Sequence, residues 1–302
     1  MKKTILITGS SGMLAQYFSN KYNANYNFKF LTRKVKNSND FLWDINKQYI
    51  DPMAFEGVDV ILHLAGASLT EKRWSDKRKS LLHSSRVEST NLLLSEVKKH
   101  NIILEAFISA SAVGFYGSVT TENIFTEQDK KGSDFLSDIC NDWENSAKKF
   151  ETTSQAKRVV IARIGIILSR NSGALNEIIK TFKFRLGSAV GNGKQYVPWI
   201  HISDMCKILN FMITDSSTHG VYNSVAPDHT NNKNFSTLIG EIMKKPIWLP
   251  NLPSFLLKIV LGEMSTILLK GSRVSPQKLV SDGFDFEFKN LKKALKDLLE
   301  NK

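Results

Sequence analysis

Thr4-Ile5-Leu6-Ile7-Thr8-Gly9-Ser10-Ser11-Gly12-Met13-Leu14-Ala15 is the stretch that decides how this chain folds. A short β-branched apolar run breaks into Gly9-x-x-Gly12-x-x-Ala15 and continues without glycine or proline, which predicts a buried strand, a tight turn and a helix from Met13 to about Tyr22. In that geometry the first glycine permits the turn and the second lets backbone approach a pyrophosphate. The small third residue lets helix and strand pack closely. A phosphate would rest on free N–H groups at the positive end of the helix. The candidate dinucleotide contacts here are Thr8, Gly9, Ser10, Ser11, Gly12, Met13 and Leu14. Glycine pairs also make ordinary turns, so the context has to decide.

Further apolar runs at Phe28–Thr32, Val58–Ala65, Leu104–Ala110 and Arg158–Ile166 alternate with helix-like intervals. Alternating strands and helices imply an α/β fold, a Rossmann-type doubly wound parallel sheet with right-handed crossovers. The continuous run Val60-Ile61-Leu62 suits a strand covered on both faces. A long helix is predicted over Lys79–His100, with Leu81, Val87, Leu92, Leu93 and Val97 on its inner face. The spacing of Leu291, Ala294, Leu295, Leu298 and Leu299 predicts a closing amphipathic helix. The organisation expected is a nucleotide-binding domain over 1–170, joined by a late strand and helix from about 195–225. A smaller substrate-side region covers 171–302, with polar loops at Gly187–Gln195 and Asp215–Asn234.

At 302 residues and 42% hydrophobic, the chain can bury a large core. Cys140 and Cys206 are far apart without ligand-like spacing, so neither a disulfide framework nor a metal site is expected, and a reducing, cytoplasmic setting follows. No run approaches the roughly 20 apolar residues that span a bilayer. The most apolar segment, Leu252–Leu269, is interrupted by Lys258 and Glu263 and reads as packed helix. The net charge of +12 comes from 41 basic and 29 acidic residues. The lysines are spread in pairs such as Lys98-Lys99 and Lys148-Lys149, which favours solvated helix faces over a nucleic-acid surface. The partner expected is a small-molecule substrate, anionic in character, and a homodimer is compatible with such a chain.

Arg33-Lys34 follows the second predicted strand, 24 residues after Gly9. An acidic residue at this strand end would hold a free ribose 2′-hydroxyl, whereas a cation pairs with a 2′-phosphate, which points to NADP, with NADPH preferred over NADH. A solvated surface pair is the other reading. Asp44 could accept a hydrogen bond from adenine or simply lie in an exposed loop. Leu64-Ala65-Gly66 closes the next strand with small residues, as close passage of backbone past a flat ligand requires. Gly9, Gly12, Arg33 and Ala65-Gly66 thus fall on one carboxyl edge of the sheet.

The ordered stretches Thr8–Gly12, His63–Ala67, Arg73-Trp74, Ser85-Arg86-Val87, Ser109–Gly117, Trp143-Glu144, Arg163–Leu168, Gly173–Leu175, Trp199–Asp204 and Gly283–Phe286 resemble the atypical extended short-chain dehydrogenases/reductases, the NAD-dependent epimerase/dehydratase-like branch. The resemblance covers nearly the whole chain and includes a family-specific, DUF1731-like C-terminal segment over about 246–302. It implies a cofactor cleft that also takes in Ser109, Ala110, Arg163 and Gly165, and substrates by analogy with nucleotide sugars. Active members use a strand-end serine with a Tyr-x-x-x-Lys pair, in which lysine lowers the tyrosine pKa. Ser111 matches the serine, although such a serine can also bond its own backbone. Cys140 and Glu144 stand where tyrosine and lysine belong, and neither can do their work. Tyr116 is then the surviving candidate proton donor, or a ligand cover. Arg163 would meet a substrate anion or pair with an acidic neighbour. His201 and Asp204 read as a strand-to-helix junction with Asp204 near the cap. The functions expected are epimerase, dehydratase or oxidoreductase chemistry, or an NADP(H) sensor without turnover.

Overall fold

A computed structural model describes residues 2–300. Its strands are β1 (Thr4–Thr8), β2 (Asn27–Thr32), β3 (Asp40–Asp44), β4 (Tyr49–Ile50), β5 (Val60–His63), β6 (Ala106–Ala112), β7 (Ile124–Phe125), β8 (Val159–Ile164), β9 (Ile166–Leu168), β10 (Trp199–His201), β11 (Gly220–Ser224) and β12 (Arg273–Val274). Its helices are α1 (Met13–Lys21), α2 (Asp76–Lys99), α3 (Phe135–Thr152), α4 (Gly173–Lys183), α5 (Ile202–Thr214), α6 (Asn232–Ile242), α7 (Ser254–Leu261), α8 (Thr266–Leu269), α9 (Gln277–Ser281) and α10 (Leu291–Glu300).

Eight strands form one sheet in the order β11-β8-β6-β5-β1-β2-β3-β4. Every pairing in it is parallel except β3 with β4. The apolar β1, β5 and β6 lie at the centre because their side chains are covered on both sides. Ile5, Ile7, Leu62, Ile108 and Val160 face a core completed by Phe18 of α1, Leu209 and Met212 of α5 and Leu295 of α10. Leu6, Ile61, Phe107 and Ile161 face the opposite core, built from Leu92, Leu93 and Val97 of α2 and Phe150 of α3. Phe107 and Phe150 stack at 3.7 Å between ring centres. This is the doubly wound α/β fold that the strand–helix alternation predicts, with all the parallel strand ends on one edge.

Several local expectations need correction. The Arg158–Ile166 run does not form one strand: β8 ends at Ile164, and Ile166–Leu168 pairs with β10 instead. The break lies at Gly165, where a Cβ would come 2.4 Å from the Pro198 carbonyl oxygen, so only glycine lets the two backbones pass. Leu81 is exposed on α2, and Leu82, fully buried, takes its place against Trp74 and Ile139. Within the Asp215–Asn234 stretch read as loop, Gly220–Ser224 forms β11, an edge strand too short and polar to announce itself. The short strands β3 and β4 likewise lie outside the apolar runs that the sequence offers.

Trp199–Asp204 forms the expected strand-to-helix junction, with Asp204 in the first turn of α5. His201 is the capping residue, its Nδ1 accepting the Ser203 N–H at 3.1 Å. Asp204 is buried and accepts the backbone N–H groups of Glu287 (3.1 Å) and Phe288 (2.9 Å), which ties the C-terminal segment to α5. Asp228 does the same for Leu291, at 2.8 Å. Helix α7 has no buried residue and lies on the surface. Among the described residues, no helix is long and apolar enough to cross a membrane.

Candidate functional site

The carboxyl edge of the sheet carries the Gly9–Met13 turn after β1. Gly9 has φ +73°, and a Cβ there would lie 3.0 Å from both Ala65 Cα and the Leu64 carbonyl oxygen. The turn therefore packs backbone on backbone, which a side chain would prevent. Gly12 caps α1 with no side-chain hydrogen bond, and the first helical turn holds no acidic residue. The N–H groups of that turn are left facing outward beside exposed Ser11 and Gly12, a place suited to an anion. Met13 packs towards Gly173 of α4, while the Leu14 side chain is part of the core, so Leu14 can offer a ligand only its backbone.

Thr8 fastens this turn to β5. Its Oγ1 accepts the N–H groups of Leu64 and Ala65, both at 3.0 Å, and lies 2.8 Å from His63 Nδ1. With its lone pairs taken by two amides, the hydroxyl must donate its own proton to Nδ1, so the imidazole proton resides on Nε2. There it meets Ser89 Oγ (3.3 Å) and Thr90 Oγ1 (3.0 Å) of α2, whose hydroxyls in turn donate to carbonyls of α2. Every group in the chain is satisfied only if His63 is neutral. Burial pushes its pKa down to about 3.

The expected 2′-phosphate contacts, Arg33 and Lys34, are exposed just beyond β2, where the Thr32 hydroxyl braces the Lys34 backbone. Asp44 turns its carboxylate inward to the β3–β4 connection, accepting the N–H groups of Asn46 (3.0 Å) and Lys47 (3.2 Å). Ser109 is buried and donates to the Ala110 carbonyl at 2.9 Å; Ala110 is buried beside it.

A buried polar chain runs behind the edge. Ser111 Oγ donates to Glu144 Oε1 at 2.7 Å. Arg163 grips the same carboxylate with Nε (2.8 Å) and Nη2 (2.9 Å), a bidentate fork, and its Nη1 reaches the Tyr116 hydroxyl at 3.0 Å. Tyr116 donates to Asn223 Oδ1 at 2.6 Å, and Asn223 donates to the Ser275 carbonyl at 3.1 Å. The Arg163 guanidinium lies 3.4 Å from the Phe115 ring centre. Of the alternatives open for Arg163, the structure has the acidic partner. Glu144 is correspondingly no free anion beside a cofactor: its charge is matched in place. Burial opposes the Arg163 charge, but the Glu144 contact outweighs it and raises the guanidinium pKa further.

These contacts change what the candidate proton carriers can do. Tyr116 is only 3% exposed, and burial pushes its hydroxyl up to about 12 despite the Arg163 contact. Burial, with Glu144 nearby, pushes the Cys140 thiol up to about 12 as well. Neither group gives up a proton near neutral pH. His63, Asn223 and Arg86 are the residues of this region whose parts the sequence did not disclose. His63 read as a strand end, and nothing local to Asn223 links it to Tyr116.

The His63 arrangement fixes a sign for acid stability. Unfolded, His63 takes a proton near 6.5; folded, only near 3, so between these values the unfolded chain binds more protons and stability falls as pH falls. Urea unfolding between pH 6 and pH 4 should show a wild-type loss steeper than that of His63→Gln by up to about 1.4 kcal/mol per pH unit. Equal slopes would contradict a neutral, buried imidazole.

Comparison with known proteins agrees with this geometry. The model of the NAD dependent epimerase/dehydratase family matches residues 5–224, and that of a domain of unknown function, DUF1731, matches residues 252–298. An epimerase family protein of Staphylococcus haemolyticus is 35% identical over 303 residues, covering 99% of each chain. Among solved structures, a human epimerase family protein crystallised with NADPH superposes with a TM-score of 0.87 at 27% identity, covering 99% of this chain and 100% of that one. A nucleoside-diphosphate sugar epimerase from Corynebacterium glutamicum gives a TM-score of 0.80 at 27% identity, covering 99% of this chain and 58% of that one. The chain belongs to the NAD dependent epimerase/dehydratase family and carries that family model ahead of a C-terminal DUF1731 domain.

Proposed function

We propose that this protein binds a nicotinamide dinucleotide across the carboxyl edge of its sheet, prefers NADP(H), and acts on a hydroxyl or carbonyl group of an anionic small molecule. The observation that carries the reading is Gly9, left-handed at φ +73° and held backbone to backbone against Ala65. With no side chain in the way, the turn closes against the end of β5 and brings the uncapped start of α1, where a diphosphate would rest, to the carboxyl edge. The human relative crystallised with NADPH supports the cofactor class, and the exposed cations Arg33 and Lys34 at the end of β2 support the phosphorylated form. The sugar-nucleotide epimerase among the structural relatives supports nucleotide sugars as the substrate class.

When bound, the nicotinamide supplies or accepts hydride at its C4 carbon. The residues of the chain set which substrate oxygen suits the site. Because the Ser111 proton is committed to Glu144, Ser111 offers lone pairs outward and acts as an acceptor. An acceptor holds a substrate hydroxyl better than a carbonyl oxygen. Arg163 pairs with Glu144 in a bidentate fork and holds it in place as the acceptor of the Ser111 proton. Tyr116 orients the pair from behind rather than acting as the acid.

A second reading, a sensor that binds NADP(H) without turnover, draws on one observation: Cys140 at the tyrosine position and Tyr116, the other candidate proton donor, are both buried and pushed up to about 12.

Calorimetry separates the parts of this reading. NADPH should bind at least about tenfold tighter than NADH, a difference of about 1.4 kcal/mol, and Arg33→Ala should erase the preference. Equal affinities would contradict the NADP(H) assignment, and no binding of either would contradict the site. In a screen of nucleotide sugars and small hydroxyl or carbonyl compounds followed by NADPH absorbance, Ser111→Ala should lower turnover more than Tyr116→Phe. Binding with no turnover on any compound would leave the sensor reading standing instead.

A further inference from the structure

Among the described residues, Arg86 is a half-buried cation with no carboxylate beside it. It stands on α2, with Nη1 donating to the Leu82 carbonyl at 2.9 Å and Nη2 to the Ala67 carbonyl at 3.1 Å. Its guanidinium lies flat against the strand-end backbone: a Cβ on Gly66 would stand 3.1 Å from Cζ. Its Cζ lies 5.3 Å from the centre of the Trp143 ring. Arg78, Arg163 and Arg273 each have a carboxylate, Glu71, Glu144 and Glu122, whereas Arg158, just before β8, donates to the carbonyls of Thr218 and Ile213 away from the strand-end turn. Among the described residues, no carboxylate stands within 4.0 Å of Arg86. Burial draws its pKa below the usual guanidinium value, yet an arginine does not give up its proton in a protein, so the charge stays. Cys140, the one anion-forming group whose charge would favour it, remains a thiol.

Arg86 is half-buried, and a partly desolvated charge without an ion-pair partner is unfavourable, which two carbonyl contacts offset only in part. The position is specific as well. Gly66 follows Ala65, against which the Gly9 turn packs, while Trp143 precedes Glu144, the partner of Ser111. Arg86 therefore lies between the turn expected to hold a diphosphate and the Ser111 cluster, with three of its five N–H groups left for a ligand.

We infer that Arg86 is the anion-binding residue of this cleft, its guanidinium taking phosphate or carboxylate oxygens of a bound ligand beside Gly66. That anion is either the diphosphate of the dinucleotide or an anionic group on a separate ligand. The reading of the cleft as a nicotinamide-dinucleotide site bears only on which of these supplies it. The role transfers to Arg86 the anion contact that Arg163, spent on Glu144, does not make.

Two variants test this in the full-length protein. Arg86→Lys keeps the charge; Arg86→Gln keeps a donor for the Ala67 carbonyl without it. Circular dichroism confirms that each is folded, and the reads are NADPH affinity by calorimetry and the melting-temperature rise produced by inorganic phosphate on the NADPH-saturated protein. A loss of NADPH affinity of about tenfold or more in Arg86→Gln, with Arg86→Lys in between, supports the diphosphate as the anion. Unchanged NADPH affinity with the phosphate response lost in Arg86→Gln and kept in Arg86→Lys supports a separate anion. If both responses match wild type in both variants, or if Lys is no better than Gln, the inference is overturned. A wild-type protein that binds no NADPH overturns the dinucleotide reading alone, and the phosphate response of the free protein then decides the role of Arg86.

Discussion

The Thr8 hydroxyl holds the functional edge together. It receives two amides from the end of β5 and gives its proton to a neutral His63, which passes the constraint on to α2. The ends of β1 and β5 meet at that oxygen, and α2 joins them through the far side of His63. The left-handed Gly9 turn can lie against Ala65 only because the two strand ends are pinned at this distance, and Gly66 and Arg86 follow from the position of β5. Were His63 charged, Nδ1 would become a donor facing the Thr8 hydroxyl, which would then have to release one of its amides.

A second buried unit, Ser111 with Glu144 and Arg163, shows how a site can keep its geometry while its residue types change. A lone Glu144 here would be an unpaired buried carboxylate, which costs several kcal/mol. The bidentate Arg163 makes it tolerable, and the pair then fixes the direction of the Ser111 hydroxyl. Charge compensation thus reaches from α3 to β8, and through Tyr116 and Asn223 to β11 and the C-terminal segment.

How much of this was legible in the sequence depended on range. The Gly9 turn, the central strands and the early helices are coded locally, by glycine, β-branched runs and periodicity, and they stand where those signals put them. β3, β4 and β11 are short strands at or next to the sheet edges whose side chains carry weak alternation, so their pairing is decided by neighbours rather than by their own residues. The functions of Glu144, Tyr116 and Arg86 could not be read locally at all. Each depends on a partner brought in by tertiary structure: Arg163 lies 19 residues from Glu144, and Asn223 lies 107 from Tyr116. The family resemblance located the missing Tyr and Lys, but the compensation for their loss is visible only in three dimensions.

The central claim is that the edge pinned by Thr8 receives a dinucleotide. Amide hydrogen exchange with and without NADPH tests it most directly. Slowed exchange at Gly9–Leu14, the strand-end residues Leu64–Ala67, the Arg33-Lys34 turn after β2 and the flank of α2 around Arg86 is the result this account predicts. Protection elsewhere with these segments unchanged, or no protection at saturating NADPH, would contradict it.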